Sequence, residues 1–300
     1  MAKTLGIYKN GNYWVEIMDD GTKIRVNNLD NHTPAFAESI DVTITKRCDG
    51  NCPFCYAECT PDGKHGNILN KALLNSLHKY TEIALNGNDL SHPDLDKFLS
   101  IMKDKKIIAN MTVNQKHFLK HFARILNWQM NQYIYGLGVS YTGRDVEFIK
   151  KVQLFPNAVI HVINGILTPD DIEFLSNKNL KLLILGYKHK GRGVDFEEKN
   201  GEEIKKNQQY LKEVLPSLQD KFRVICFDNL ALDQLDVKSW LSKEEFESYY
   251  MGDEGQFTFY LDLVDNVFAK SSLETEYFPM RDSVDDMFRF LRERAKMKSS

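Results

Sequence analysis

A chain of 300 residues that is 42% hydrophobic, with 18 Phe and 13 Tyr, has the apolar material for one sizeable core or two ordinary ones. Its formal charge of −3 gives no general attraction to nucleic acid or an anionic surface, and no apolar run reaches membrane-spanning length. Met1–Gly6 lacks a signal-peptide hydrophobic stretch, and five cysteines in a chain this long do not make a disulfide framework, so a reducing cytoplasm is the expected compartment.

In chain order, Tyr13–Ile17 and Thr22–Val26 alternate around Asp19-Asp20-Gly21 and read as a β-hairpin covering an end or edge of the main unit. Asn27–Pro34 is polar and turn-rich, a link from the hairpin into that unit. Ser39–Thr45 alternates with β-branched residues and reads as a strand. It runs into Lys46–Tyr56, which carries Cys48, Cys52 and Cys55 at C-x3-C-x2-C. These thiols sit on a loop at the carboxyl end of a strand, where α/β folds place their chemistry.

Helical and strand patterns then alternate. Helices are expected over Asn70–Tyr80, after His92-Pro93-Asp94, over His117–Leu126 and Asp145–Val152, from Pro169, and over Glu202–Val214. Strands are expected at Thr81–Leu85, Lys106–Val113, Ile134–Tyr141, Ala158–Ile163, the nearly all-apolar Leu180–Tyr187, and Phe222–Phe227. Such βαβ units predict a parallel sheet with right-handed crossovers. The aromatic and charged Trp240–Tyr250 precedes a strand pair, Phe257–Val264 and Val267–Ala269, and a basic helix, Val284–Lys296. The expected organisation is a hairpin and linker over 1–36, an α/β unit over 37–235, and an extension over 236–300 packed into the same compact domain.

Three thiolates suit a 4Fe–4S cluster with one iron left open. Structural zinc takes four ligands, and no second cysteine pair follows the trio, while the H-x3-H of His117 and His121 begins 62 residues beyond Cys55. Cys48, Cys52, Phe54 and Cys55 together resemble the radical S-adenosylmethionine (SAM) enzymes, whose motif is C-x3-C-x-aromatic-C. The resemblance covers about residues 38 to 230 and implies a partial (βα)6 barrel. It also implies a 4Fe–4S cluster on the three cysteines, SAM on the open iron, and a reductant such as flavodoxin or ferredoxin. The reduced cluster would cleave SAM to methionine and a 5′-deoxyadenosyl radical.

By the same resemblance, Phe54 offers its carbonyl and ring to adenine. Asn86-Gly87-Asn88-Asp89 stands where the family has G-G-E-P, so Asn86, Gly87 and Asn88 are expected to hold the methionyl amine, Asn88 with an amide in place of a carboxylate. Asn114 matches the asparagine of a T-N-G segment, and Ser140 a serine that contacts ribose or carboxylate. The basic, glycine-rich Gly186–Gly193 loop, with Arg192, is a candidate for binding a carboxylate or phosphate. Cys59 extends the spacing but is expected not to be a ligand, because a fourth thiolate would occupy the iron that SAM needs. His161 and Cys226 are expected in the core, and Asp228 at the barrel mouth as a substrate contact for a donor-rich heterocycle.

No auxiliary-cluster cysteines or peptide-recognition domain are evident, which favours a small-molecule substrate and no nucleic-acid or membrane partner. The compact architecture resembles a group of radical SAM proteins that includes the queuine lyases. That likeness implies C–N cleavage of queuine, a 7-deazaguanine, releasing 7-aminomethyl-7-deazaguanine. The alternatives are a radical SAM enzyme that modifies peptides and, in another class, a non-catalytic regulatory protein with a structural metal.

Overall fold

The computed structural model describes residues 2–29 and 31–299. The amino-terminal strands alternate wet and dry residues, and so form a sheet with one buried face. β1 (Thr4–Asn10), β2 (Tyr13–Met18) and β3 (Lys23–Val26) pair antiparallel in that order, one strand more than the expected hairpin. Tyr8, Tyr13, Val15 and Ile17 gather with Ile108 and Phe257 in an apolar cluster separate from the main core. Ile108 and Phe257 lie where strands of the main sheet begin, so this small sheet plugs the amino end of the larger one. Glu38 lies in that junction with a fully buried carboxylate, gripped by Arg25 Nε and Nη2, each at 2.9 Å, and by the Tyr13 hydroxyl at 2.5 Å. A buried carboxylate held this way is strongly destabilising only when its partners are removed.

The main unit follows the expected alternation. Its elements are β4 (Ser39–Thr43), α1 (Lys71–Asn75), β5 (Glu82–Asn88), α2 (Leu95–Asp104), β6 (Ile108–Asn114), α3 (Gln115–Lys120), α4 (Phe122–Met130), β7 (Leu137–Ser140) and α5 (Val146–Val152). It continues through β8 (Ala158–Ile163), α6 (Pro169–Leu175), β9 (Lys181–Leu185), α7 (Arg192–Val214), β10 (Val224–Phe227), α8 (Asn229–Leu235) and α9 (Lys243–Tyr249). β11 (Thr258–Asp262), β12 (Val267–Ala269), β13 (Phe278–Pro279) and α10 (Val284–Ser299) end the chain. α6 starts at Pro169 as expected, with a capping box between Thr168 and Asp171. The first expected helix stops at Asn75 rather than Tyr80, and the helix expected over His117–Leu126 breaks at His121 into α3 and α4.

The large sheet runs β10-β9-β8-β7-β6-β5-β4-β11-β12-β13 among the described residues, parallel from β10 through β11. The carboxyl-terminal strand pair is thus built into this sheet: β11 lies parallel to β4, Thr258 opposite Ser39 and Asp262 opposite Thr43. β10 and β13 are its outer strands, so the sheet is not closed on itself, in keeping with a partial rather than a complete barrel. Side chains alternate across it. Val42, Leu85, Met111, Val139, Ile160 and Ile184 are buried in the main core on the helix side. The register places Asp41, Asn86, Thr112, Ser140, His161 and Leu183 on the other face, lining the concave lumen. No helix among the described residues is long and apolar enough to cross a membrane.

Candidate functional site

The cysteine loop leaves β4 and folds back on itself as an irregular ribbon. Cys48 N–H donates to Thr60 O at 2.8 Å, Thr60 N–H to Lys46 O at 3.0 Å, and Lys46 N–H to Lys64 O at 2.9 Å. Between these rungs Cys48, Cys52 and Cys55 are half-buried, free, and close enough for their charges to act on one another. Burial pushes the Cys48 and Cys52 thiols up. Gly50 N–H donates to Cys48 Sγ at 3.3 Å, and Asn114 Nδ2 approaches Cys52 Sγ at 3.6 Å. A side chain at Gly50 would bring its Cβ to 3.2 Å from Cys48 Sγ. Among the described residues no set of three or more His, Cys, Asp or Glu side chains stands ready to hold a single metal ion. Three neighbouring sulfurs on one loop, with N–H donors aimed at two of them, suit the thiolate ligation of an iron–sulfur cluster, which needs sulfur ligands and is tuned by such donors.

Cys59 is buried beside this trio. Its thiol hydrogen-bonds to the Cys55 sulfur, which draws Cys55 well below the ordinary thiol range and pushes Cys59 up. Asn88 Nδ2 donates to the Cys59 sulfur at 3.3 Å. Cys59 therefore donates to Cys55, and Cys59→Ser preserves a hydroxyl donor at that point. The variant is expected to keep iron and SAM cleavage at wild-type levels, checked by iron per chain and 5′-deoxyadenosine formed. Loss of both would make Cys59 a ligand.

Arg192 reaches the loop from the start of α7. Its Nε donates to Cys52 O at 3.1 Å, its Nη1 to Cys59 O at 3.1 Å, and its N–H to Cys55 O at 3.2 Å. The side chain expected to bind a carboxylate or phosphate instead staples the backbone of the cysteine loop, and its charge favours the thiolates of Cys52 and Cys55. Gly191 takes φ 55°, and a Cβ there would lie 2.5 Å from Tyr56 O, so the close approach requires glycine.

The three residues at the end of β5 have different jobs. Asn86 accepts from Ile44 N at 2.7 Å and donates to Thr45 O at 3.1 Å, so its amide is spent on clipping β4 to β5. Gly87 packs so tightly that a Cβ would lie 2.5 Å from Met111 Sδ. Asn88 lies next, in the left-handed region (φ 49°) at a register shift against β6, a bulge of the sort that re-aims side chains beside active sites. Its Nδ2 donates to Thr45 O at 3.0 Å and Cys59 Sγ at 3.3 Å, which fixes the amide and leaves Oδ1 as an acceptor. Asn88→Ala is expected to weaken SAM binding by about 1–3 kcal/mol with iron content unchanged, measured by equilibrium binding. Unchanged affinity would assign the amine to main-chain groups.

A cleft of about 330 Å³ opens beside Cys52 at the carboxyl ends of β6, β7 and β8. Phe54, Val162, Ile163, Ile166 and Leu167 give it an apolar wall, while Asn114, Thr142 and Asp171 supply polar atoms. Phe54 is held edge-on to Phe196 at 5.7 Å between centroids. Asn114 also caps α3 by accepting from Lys116 N–H at 2.9 Å. Ser140 ends β7, half-buried on the lumen face. Sequence reasoning missed the Val162–Leu167 wall, although its apolar residues at the end of β8 and just beyond it were there to be read.

Three expectations change. Asp228 Oδ1 accepts from Gly186 N at 2.9 Å and Ala231 N at 2.8 Å, capping α8 and tying β10 to β9. Cys226 is exposed because it shares the lumen face with Leu183, while its neighbours Ile225 and Phe227 pack on the core. His161 lies on the lumen over Gly138, without a hydrogen-bond partner among the described residues, and burial pushes it down to about 4.

No family model matches the chain, and no curated protein matches it. Among solved structures, Streptococcus suis SuiB matches over 94% of this chain and 86% of its own, with TM-score 0.55 and 12% identity. SuiB bound to S-adenosylmethionine gives 0.54 and 13%, over 85% of this chain and 66% of that one. SuiB bound to the precursor peptide SuiA gives the same score and identity over 85% and 65%. The chain thus spans about two thirds of the SuiB chains in those two complexes. The likeness establishes the fold: a mixed α/β architecture around a large parallel sheet, of the type seen in SuiB.

Proposed function

We propose that this protein is a radical SAM enzyme that acts on a peptide. The observation that carries the class is the trio Cys48, Cys52 and Cys55, side by side on the loop after β4, beside a partly apolar cleft of about 330 Å³. A 4Fe–4S cluster on those thiolates would supply the electron that cleaves SAM reductively to methionine and a 5′-deoxyadenosyl radical. The chain's own residues hold and aim the parts. Phe54 and the Val162–Leu167 wall cover the adenosyl group, Asn88 Oδ1 accepts from the methionyl ammonium, and Asn114 donates toward Cys52. The apolar wall and the plugged amino end keep water from the reacting centre. A one-electron protein donor such as flavodoxin or ferredoxin completes the cycle.

The peptide reading rests on two points. SuiB, whose fold this chain shares, has been captured with a precursor peptide. The residue nominated for a 7-deazaguanine, Asp228, spends an oxygen on two backbone N–H groups. Anaerobic reconstitution, then iron, sulfide and 5′-deoxyadenosine analysis, tests the class. Fully loaded protein that yields no deoxyadenosine with SAM and reductant overturns it. Queuine added to the same assay separates the substrates: release of 7-aminomethyl-7-deazaguanine would restore the small-molecule reading.

A further inference from the structure

The acids along this sheet are paired, with one exception. Glu38 is held by Arg25 and Tyr13, and Glu82 by Lys23 and Asn110. Asp262 lies 3.6 Å from Lys46 and accepts from the N–H groups of Val264 and Asp265. Asp41, in the middle of β4, has no hydrogen bond or ion pair among the described residues. Register places it on the lumen face beside Ala84 of β5 and Tyr260 of β11, with Asn110 of β6 one strand further on.

Each polar neighbour is committed elsewhere. The Tyr260 hydroxyl is 2.8 Å from Thr43 Oγ1 and 3.3 Å from Asp262 Oδ2. Asn110 donates to Glu82 at 3.0 Å and accepts from Gly136 N at 2.8 Å. Of the charged groups acting on Asp41, Lys23 and Lys188 are cations, while Glu82 and Glu254 are anions. Lys23 is bound to Glu82. Lys188 sits 3.9 Å over the Tyr56 ring and reaches Ser272 Oγ at 3.3 Å. His161, on the far wall, is held neutral by burial, which pushes it down to about 4. The lumen therefore contains a carboxylate without a counter-ion, accessible from the lumen side, and the protein packed around it pushes it up to about 6.

We infer that Asp41 is the anchor for a cationic side chain of the substrate, an ammonium or guanidinium group that enters the lumen beneath the cysteine loop. The inference rests on the proposal of a peptide substrate and names the side chain that such a substrate needs. A strand rises about 3.3 Å per residue, so Asp41 lies about 7 Å below Thr43, where β4 ends and the chain turns toward Cys48. That depth matches an extended lysine or arginine side chain. Its charged tip would meet Asp41, which is accessible from the lumen, while its backbone stayed at the mouth, and a charge-assisted hydrogen bond there fixes both affinity and position.

The test is a binding titration of the 300-residue chain with Nα-acetyl-lysine methylamide and Nα-acetyl-arginine methylamide, with the norleucine analogue as neutral control. Nuclear magnetic resonance with carboxyl-labelled aspartate gives the readout. At least one cationic probe is expected to bind wild-type protein saturably and shift the Asp41 resonance, and Asp41→Asn is expected to weaken it at least tenfold. The neutral analogue should bind no more tightly to wild type than to the variant. Asp41→Asn should melt at or above the wild-type temperature, because no partner is lost; a lower melting temperature would indicate a structural carboxylate and overturn the inference. Equal affinity in variant and wild type, equal binding of the norleucine analogue, or no saturable binding of either cation would also overturn it. Neither SAM nor iron enters this titration, so it stands apart from the deoxyadenosine assay that tests the enzyme class.

Discussion

Replacing any one of Cys48, Cys52 or Cys55 by Ala is expected to leave the chain folded and unable to hold iron. Two thiolates leave one iron of a 4Fe–4S cluster with neither a protein nor a SAM ligand, which is a loss of the site rather than a weakening of it. The fold should survive, because none of the three side chains belongs to the main core or to the amino-terminal cluster. Each has instead a local partner: Gly50 N–H for Cys48, Asn114 Nδ2 for Cys52 and the Cys59 thiol for Cys55. Iron and sulfide per chain after anaerobic reconstitution, with circular dichroism as the folding control, measure the effect. Cys226→Ala, which alters an exposed thiol on β10, should load normally. A full complement of iron in any variant of the trio would sink the assignment of that residue.

This part of the site was legible because its signal is local. Three cysteines within eight residues, on a loop announced by the alternation of Ser39–Thr45, need no knowledge of the rest of the chain. The order of β4 to β10 was legible for the same reason, since period-two and helical patterns succeed each other along the sequence. What could not be read depends on partners far away. β11 carries the pattern of a hairpin strand, and only its pairing with β4, more than 200 residues earlier, makes it part of the main sheet. Asp41 lies within an alternating strand, and only the pairing of β4 between β5 and β11 places it on the lumen face. Cys226 sits in an apolar run, and the same alternation brings it out of the core. Asn86 looked like a ligand-binding residue and proves to be a clip, because Ile44 N and Thr45 O lie within reach of its amide.

Arg192 is the plainest case of a role set by distance, and its removal is the second large effect expected. The sequence presents it as one cation in a basic turn, 137 positions beyond Cys55. In the fold its guanidinium spans two carbonyls of the cysteine loop, Cys52 O and Cys59 O, at 3.1 Å each. Hydrogen bonds from a charged donor are worth about 1.5–3 kcal/mol apiece, so Arg192→Ala removes roughly 3 kcal/mol or more from the ordering of that loop. It also withdraws the positive charge that favours the Cys52 and Cys55 thiolates. The variant should therefore take up iron poorly and release it to a chelator at least tenfold faster than wild type. Arg192→Lys should rescue little, because a single ammonium cannot bridge two carbonyls as a planar fork does. If Arg192 served only to bind the substrate or SAM carboxylate, both variants would load and retain iron normally and lose affinity alone. Release of iron at the wild-type rate from Arg192→Ala would establish that simpler role and discard the clamp.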